Sequence, residues 1–246
     1  MEPIRVAIIG TRGIPANYGG FETFAEELSV RLATRGHHVV VYGRSNNIDY
    51  PDKEYRGVRL IILPTISWKH LDTITNTFLS VFHVIIHRVD IVLIPNTGNA
   101  ALSWIPRIFG IPVLMNVDGL EWKRQKWGKA TKKLLKFSEW LATWMPNQIV
   151  TDAQVIQDYY KNKYNKHSWM IPYGAYISRQ INEEDLKKFE LESEKYLLYV
   201  SRLEPENNAL MVIKAYLQSQ VDMNLVIVGD APYAHDYIRK LKSTAN

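Results

Sequence analysis

The chain has 246 residues, 46% of them apolar and 22% charged, with a net charge of +5. That length and composition suit one large or two modest globular domains and exclude a disordered chain. The absence of cysteine excludes disulfides, thiolate zinc sites and a cysteine nucleophile.

The N-terminal Met1-Glu2-Pro3-Ile4-Arg5 carries an early acid and a short apolar run, which reads as the start of a buried strand and not as a signal peptide. A strand is predicted over 4–9. It runs into the Gly-rich loop Gly10-Thr11-Arg12-Gly13-Ile14-Pro15-Ala16-Asn17-Tyr18-Gly19-Gly20, and the loop delivers the backbone into a helix over 20–35. Phe21, Phe24, Ala25, Leu28 and Leu32 recur at helical spacing on one face. Gly36 stands where a C-terminal cap belongs, and a second strand follows over 38–43. Such a βαβ unit can bring Gly19, Gly20 and the first N–H groups of the helix against an anion, with Arg12 and Asn17 beside them. The same residues also read as a tight strand-to-helix connection that binds nothing. A dinucleotide fingerprint would place its glycines as G-x-G-x-x-G; here Gly10 and Gly13 are followed by Gly19-Gly20 only six residues later.

Strands are predicted at 58–63, 90–94, 112–116, 148–151 and 169–171, alternating with helices at 70–88, 99–109, 129–145 and 153–162. That alternation means an α/β fold with a parallel sheet covered on both faces. The most apolar stretch, Phe78 to Ile94, is interrupted by His83, His87, Arg88 and Asp90, so no transmembrane helix is predicted and a cytoplasmic location is expected. Asn96-Thr97-Gly98-Asn99 and Val117-Asp118-Gly119-Leu120-Glu121-Trp122 each follow a strand, at the edge where ligands bind in open α/β sheets. Asp118 there can hold a hydroxyl or take its proton, or it can simply make an Asp-Gly turn. Seven basic residues lie between Trp122 and Lys136 with no acid among them, and without those seven the chain has 23 basic against 25 acidic residues. Lys126, Lys129, Lys133 and Lys136 fall within about 80° of helical arc. With Trp122 and Trp127 nearby, this suits anionic lipid or a solvated face over a packed apolar arc.

Residues 180–195 are rich in Glu, Asp and Lys and read as a linker or surface helix. A strand at 196–200, a helix over 207–219, a strand over 224–229 and a helix from 232 to 243 open a second α/β unit. The predicted organisation is a domain over 1–178, a linker over 179–195 and the beginning of a second domain over 196–246. Arg202 emerges at the end of its first strand, placed to pair with a diphosphate. His70, His83, His87 and His235 show no metal-ligand spacing, and no metal site is expected.

Four segments together resemble the family 4 glycosyltransferases of GT-B architecture, closest to the rhamnosyltransferase-like bacterial branch. They are Gly10 through Glu22, Val117 through Trp127, Ile171-Pro172-Tyr173-Gly174-Ala175, and Ser201-Arg202-Leu203-Glu204-Pro205-Glu206-Asn207-Asn208. The resemblance implies two Rossmann-like domains, a nucleotide-sugar donor of the dTDP or UDP type, no cofactor besides it, and transfer with retention and without metal. It places Gly19, Gly20, Arg12 and Arg202 at the donor diphosphate, Asp118 by the acceptor as orienting group or proton acceptor, and Asn96 and Glu121 on the acceptor side. It further implies a lipid-linked saccharide acceptor of surface polysaccharide synthesis, peripheral contact with the inner membrane face, and no nucleic acid. Many relatives carry a lysine where this chain has Asn207. The family's paired glutamates are expected beyond residue 246, so the chain alone is expected to be inactive. A nicotinamide-dependent oxidoreductase is the competing enzyme reading; the strand end Val41-Tyr42-Gly43-Arg44 lacks its acidic residue and offers an arginine that favours a phosphate. A non-catalytic basic adaptor on membrane or nucleic acid is the third.

Overall fold

Side chains alternate along the first strand. Val6 and Ile8 pack on one face of a sheet, Ala7 and Ile9 on the other, as the two-residue period of an extended chain requires. The computed structural model describes residues 2–17, 19–66, 72–124, 127–175, 177, 183–231 and 234–245. Two compact units are present, Met1–Lys123 with Trp127–Gly174, and Arg124–Lys126 with Ala175–Asn246.

The first unit runs β1 (Arg5–Ile8), α1 (Gly20–Thr34), β2 (His38–Arg44), β3 (Glu54–Tyr55), β4 (Val58–Leu63), α2 (Asp72–His87) and β5 (Ile91–Pro95). A 3-10 turn at Thr97–Leu102, α3 (Trp104–Ile108), β6 (Val113–Val117), a second 3-10 turn at Glu121–Lys123, α4 (Lys129–Leu141), β7 (Gln148–Thr151), α5 (Gln154–Tyr164) and β8 (Trp169–Met170) complete it. The sheet order is β3-β4-β2-β1-β5-β6-β7-β8, parallel throughout except for the β3–β4 pair. One face packs Val6, Ile8, Val39 and Val41 against Ala25 and Leu28 of α1. The other packs Ala7, Ile94, Val113 and Met115 against Val81 and Val84 of α2, Leu141 of α4 and Tyr160 of α5. Each fully buried Val, Ile or Met in these layers contributes about 1.5–3 kcal/mol of transfer free energy.

Two predicted helices come out differently, and one short strand was not predicted. The helix over 99–109 is split into the 3-10 turn and α3, because Pro106 has no N–H for Leu102 and its ring would strike that carbonyl. The helix over 129–145 ends at Leu141, ahead of Met145, which Pro146 biases away from helix. The two-residue β3 is too short for any periodicity to signal. Of the helices predicted from 70 and from 232, the described residues show helix from Asp72 and from His235 onwards. His70 and Lys126 lie outside the described residues.

The second unit contains α6 (Glu183–Lys187), β9 (Tyr196–Val200), a 3-10 turn at Pro205–Asn207, α7 (Ala209–Gln218), β10 (Asn224–Val228) and α8 (His235–Ala245). β9 and β10 are parallel, and Leu203, Ala209, Ile213, Ala231 and Leu241 form its core. A Cβ on Gly229 would lie 1.8 Å from the Ser201 carbonyl oxygen, so the strand exits can pass each other only with glycine there. Among the described residues no helix is long and apolar enough to cross a membrane.

Candidate active site

β1 lies between β2 and β5, so its two neighbours are reached by connections that leave in opposite directions. A crevice opens at the carboxyl ends of the strands at such a switch point. The β1–α1 loop at this edge is pinned along its length. Gly13 N–H donates to Thr11 Oγ1 at 3.2 Å, Arg12 N–H to Glu22 Oε1 at 3.2 Å, and Ala16 N–H to Glu26 Oε2 at 2.6 Å. Gly10, at φ +86°, abuts the β5 loop so closely that an added Cβ would stand 2.6 Å from Asn99 Nδ2. Gly19, at φ +91°, precedes α1 and supplies no side-chain cap. The helix therefore opens on exposed backbone at Gly19 and Gly20, with the positive end of its dipole outward. Arg12 is half-buried on the same loop, and the Asn17 amide donates to the Asn47 carbonyl at 2.9 Å.

Arg44 corrects one expectation. It is buried, bonded to Asp72 at 2.7 Å and to the Thr11 carbonyl at 3.2 Å. Burial, with the like charge of Arg12 adding to it, holds its pKa below the usual guanidinium value. This arginine anchors α2 to β2 and is not presented to a phosphate.

Further along the edge, Asn96 follows β5 at φ +81°, and its Oδ1 accepts the Gly98 N–H at 2.7 Å, capping the 3-10 turn. Asp118 follows β6 and is exposed. Its charge reaches Tyr173, whose phenol pKa is pushed up chiefly by burial and then by Asp118; the Tyr160 phenol is pushed up by burial, then by Glu139 and the neighbouring tyrosines, with Asp118 adding least. Asn116, 1% exposed, donates through Nδ2 to the Tyr173 hydroxyl at 2.5 Å. The Tyr173 ring packs on Phe24 of α1 with centroids 4.9 Å apart. Tyr173 thus joins α1 to β6 beside Asp118, a role that the Ile171-Pro172-Tyr173-Gly174 run does not disclose on its own. Glu121 accepts the Trp127 indole N–H at 3.1 Å, so both are turned towards each other.

Trp122 is half-buried. Its indole N–H donates at 2.6 Å to Glu139, a carboxylate only 2% exposed. Glu139 also takes the Tyr159 hydroxyl at 2.7 Å and Lys163 Nζ at 3.1 Å, while Lys136 Nζ stands 4.2 Å over the Trp122 ring. In the sequence this buried acid is marked only by its isolation in a basic helix. Lys129, Lys133 and Lys136 are exposed on α4.

In the second unit Arg202 is exposed just past β9. The Asn207 amide donates to the Arg202 carbonyl at 2.6 Å and its own carbonyl accepts the Tyr199 hydroxyl. Asn207 therefore shapes the Arg202 turn in place of the charge that a lysine would bring.

The model of a family described as a domain of unknown function (DUF1972) matches residues 4–176. A search of the curated proteins finds no match. Among solved structures, the chain is similar to sucrose-phosphate synthase from Thermosynechococcus elongatus, with 17% identity and TM-score 0.76, covering 98% of this chain and 67% of that one. It is similar to Anabaena HepE in complex with UDP and glucose, with 15% identity and TM-score 0.68, over 98% and 65% of the two chains. Arabidopsis thaliana UGT89C1 complexed with UDP-L-rhamnose matches at 13% identity and TM-score 0.52, over 93% and 65%. The chain spans about two thirds of the length of these proteins, and at such identities the likeness establishes the fold, the α/β GT-B architecture.

Proposed function

The chain belongs to the DUF1972 family, and on that premise we propose that it serves a glycosyltransferase using a nucleoside-diphosphate sugar. The observation that carries this reading is the carboxyl edge of the first sheet. There an uncapped helix start at Gly19-Gly20 stands on the same edge as the Asp118–Tyr173–Asn116 group. A helix N-terminus and cationic side chains offset charge that builds on a departing diphosphate. We assign that task to Gly19, Gly20 and Arg12 on the first unit and to Arg202 on the second. Asp118 orients the acceptor hydroxyl, and the leaving phosphate takes its proton, so retention needs no separate nucleophile.

The donor is of the UDP or dTDP type, with rhamnose as the sugar. Support comes from the UDP, glucose and UDP-L-rhamnose complexes of the similar folds. The acceptor is a lipid-linked saccharide of bacterial surface polysaccharide, reached by peripheral contact of α4 with the inner membrane face. Asn96 and Glu121 stand on the acceptor side.

The test is calorimetric titration of UDP, GDP, dTDP and NADH into the full-length protein. Selective binding of one nucleoside diphosphate, weakened at least about tenfold by Arg202→Ala, is the expected result. Selective NADH binding would overturn the reading in favour of an oxidoreductase.

A further inference from the structure

α2 carries His83 and His87 four residues apart, so the two side chains leave the same side of the helix one turn apart. Their rings are stacked, with centroids 3.8 Å apart and planes 5° from parallel. Each ring is fixed through Nδ1. His87 Nδ1 lies 2.9 Å from the His83 carbonyl oxygen. A carbonyl only accepts, so that nitrogen carries the ring proton, and in the neutral ring Nε2 keeps its lone pair. His83 Nδ1 meets the Tyr42 hydroxyl of β2 at 2.8 Å, and the Tyr42 and His83 rings also pack edge to face at 5.5 Å. Among the described residues neither Nε2 has a hydrogen-bond partner.

A metal-bound histidine characteristically gives its other ring N–H to a backbone carbonyl or a fixed side-chain oxygen, which sets the tautomer and the ring plane. The His83 carbonyl and the Tyr42 hydroxyl are two such acceptors. Tyr42 is 1% exposed, and burial pushes its phenol pKa far up, so the hydroxyl stays neutral. A ligand imidazole must also be neutral. Burial, His87 and Arg59 together hold the His83 imidazole below its ordinary pKa, so it is uncharged at neutral pH. His83 is half-buried and His87 exposed. His87 stands in the last turn of α2, where the negative end of the helix dipole favours a cation. Arg59 opposes one, but it is exposed, so water and salt screen its charge. The bonds from an ion to two imidazole nitrogens, at about 2.0–2.1 Å for zinc, have no water between.

We propose that His83 and His87 form a bidentate site for a divalent transition-metal ion. Both ligate through Nε2, and the Tyr42 hydroxyl and the His83 carbonyl hold the rings in place. One helix turn offers two imidazoles to a single ion at this spacing. Four residues' separation is no metal motif by itself; the fixed rings make the pair a site. Imidazole suits copper, nickel and zinc, whereas calcium and magnesium want oxygen, and Cu2+ stands highest in the divalent series. No third histidine or acid joins the pair among the described residues, so water completes the coordination and the ion exchanges readily. α2 leads from β4 to β5, both running parallel with their neighbours β2 and β1. It therefore runs from the carboxyl edge of the sheet to the opposite edge, and the two histidines lie in its second half, away from the candidate active site. The metal site is accessory and does not rest on the transferase reading.

The experiment is calorimetric titration of Cu2+ into the full-length protein in a non-coordinating buffer at pH 7, with electron paramagnetic resonance of the equimolar sample. One tightest Cu2+ site is expected, showing coupling to two imidazole nitrogens. His87→Ala, an exposed substitution, weakens it at least about tenfold, since each ligand raises the effective concentration of the other, and leaves coupling to one nitrogen. His167→Ala, at an exposed histidine elsewhere, leaves the affinity unchanged. Circular dichroism confirms that both variants are folded. UDP binding by His87→Ala should equal that of the parent, so loss of nucleotide binding in the parent itself counts against the transferase reading alone. Copper affinity indifferent to His87→Ala overturns the proposal, as does coupling to a single nitrogen in the parent protein. Equal affinity in the double variant His83→Ala with His87→Ala would overturn it too.

Discussion

Gly19 and Gly20 stand side by side and answer to different constraints. Gly19 has φ +91°, and an added Cβ would lie 2.8 Å from Glu22 Oε2. Glu22 holds the Arg12 N–H, so displacing its carboxylate loosens the whole loop. Gly19→Ala is expected to cost about 1–2 kcal/mol of stability. Gly20 has open space around its Cβ position and begins α1, where alanine is a better helix former. Gly20→Ala should leave stability within about 0.5 kcal/mol. If phosphate packs directly on this backbone, a methyl group at either position obstructs it, and nucleotide affinity falls in both variants. Calorimetry and thermal unfolding on the pair separate the two effects. An unchanged affinity in Gly20→Ala would remove the phosphate cradle from the site.

Between elements, the connection that matters most is Glu139. It gathers α4, α5 and the Glu121–Lys123 turn through Trp122, Tyr159, Tyr164 and Lys163. Its carboxylate is 2% exposed while Lys163 is 40% exposed, so the acid bears most of the desolvation. Lys163 keeps its access to water, so the loss on removing the acid comes from the indole and phenol donors left without an acceptor, about 1–3 kcal/mol. Glu139→Ala should fall in that range in urea unfolding. It should also free Trp122, seen as a shift of tryptophan emission. Glu139→Gln keeps an acceptor oxygen and costs less. A Glu139→Ala variant as stable as the parent would show that the four hydroxyl and N–H donors find water without penalty.

At the scale of the molecule, the two units differ in how much apolar surface they hide. The first has two layers built on an eight-stranded sheet. Among the described residues the second has a two-stranded sheet and a core of five buried residues, and Leu198, Val200 and Val228 on its strands remain exposed. Local stability follows buried apolar contact. Amides of β9 and β10 are therefore expected to exchange with solvent at least about tenfold faster than those of β1, β5 and β6. Hydrogen exchange read by mass spectrometry checks this; equal protection in both units would refute it.

The sequence by itself determined the layered α/β fold. Uninterrupted apolar runs such as Val6-Ala7-Ile8-Ile9 serve a strand buried on both faces, and helical spacing from Phe21 to Leu32 serves a helix buried on one, and both are periodicities of a few residues. It also placed Gly19-Gly20, Asn96, Asp118 and Arg202 after strands, since position along the chain fixes which end of a parallel strand a residue follows. What it left open were matters of partnership at long range. Arg44 belongs to Asp72 at 28 residues' separation, Asn116 to Tyr173 at 57, and Trp122 to Glu139 at 17. Whether Phe137 and Trp144 were core or surface was also undecided by their spacing, because an apolar arc looks the same on either side of a helix's contact with the sheet. Only the packing of α4 on its sheet turned Leu141 inward and those aromatic rings out, because burial is settled by what a side chain meets and not by what it is.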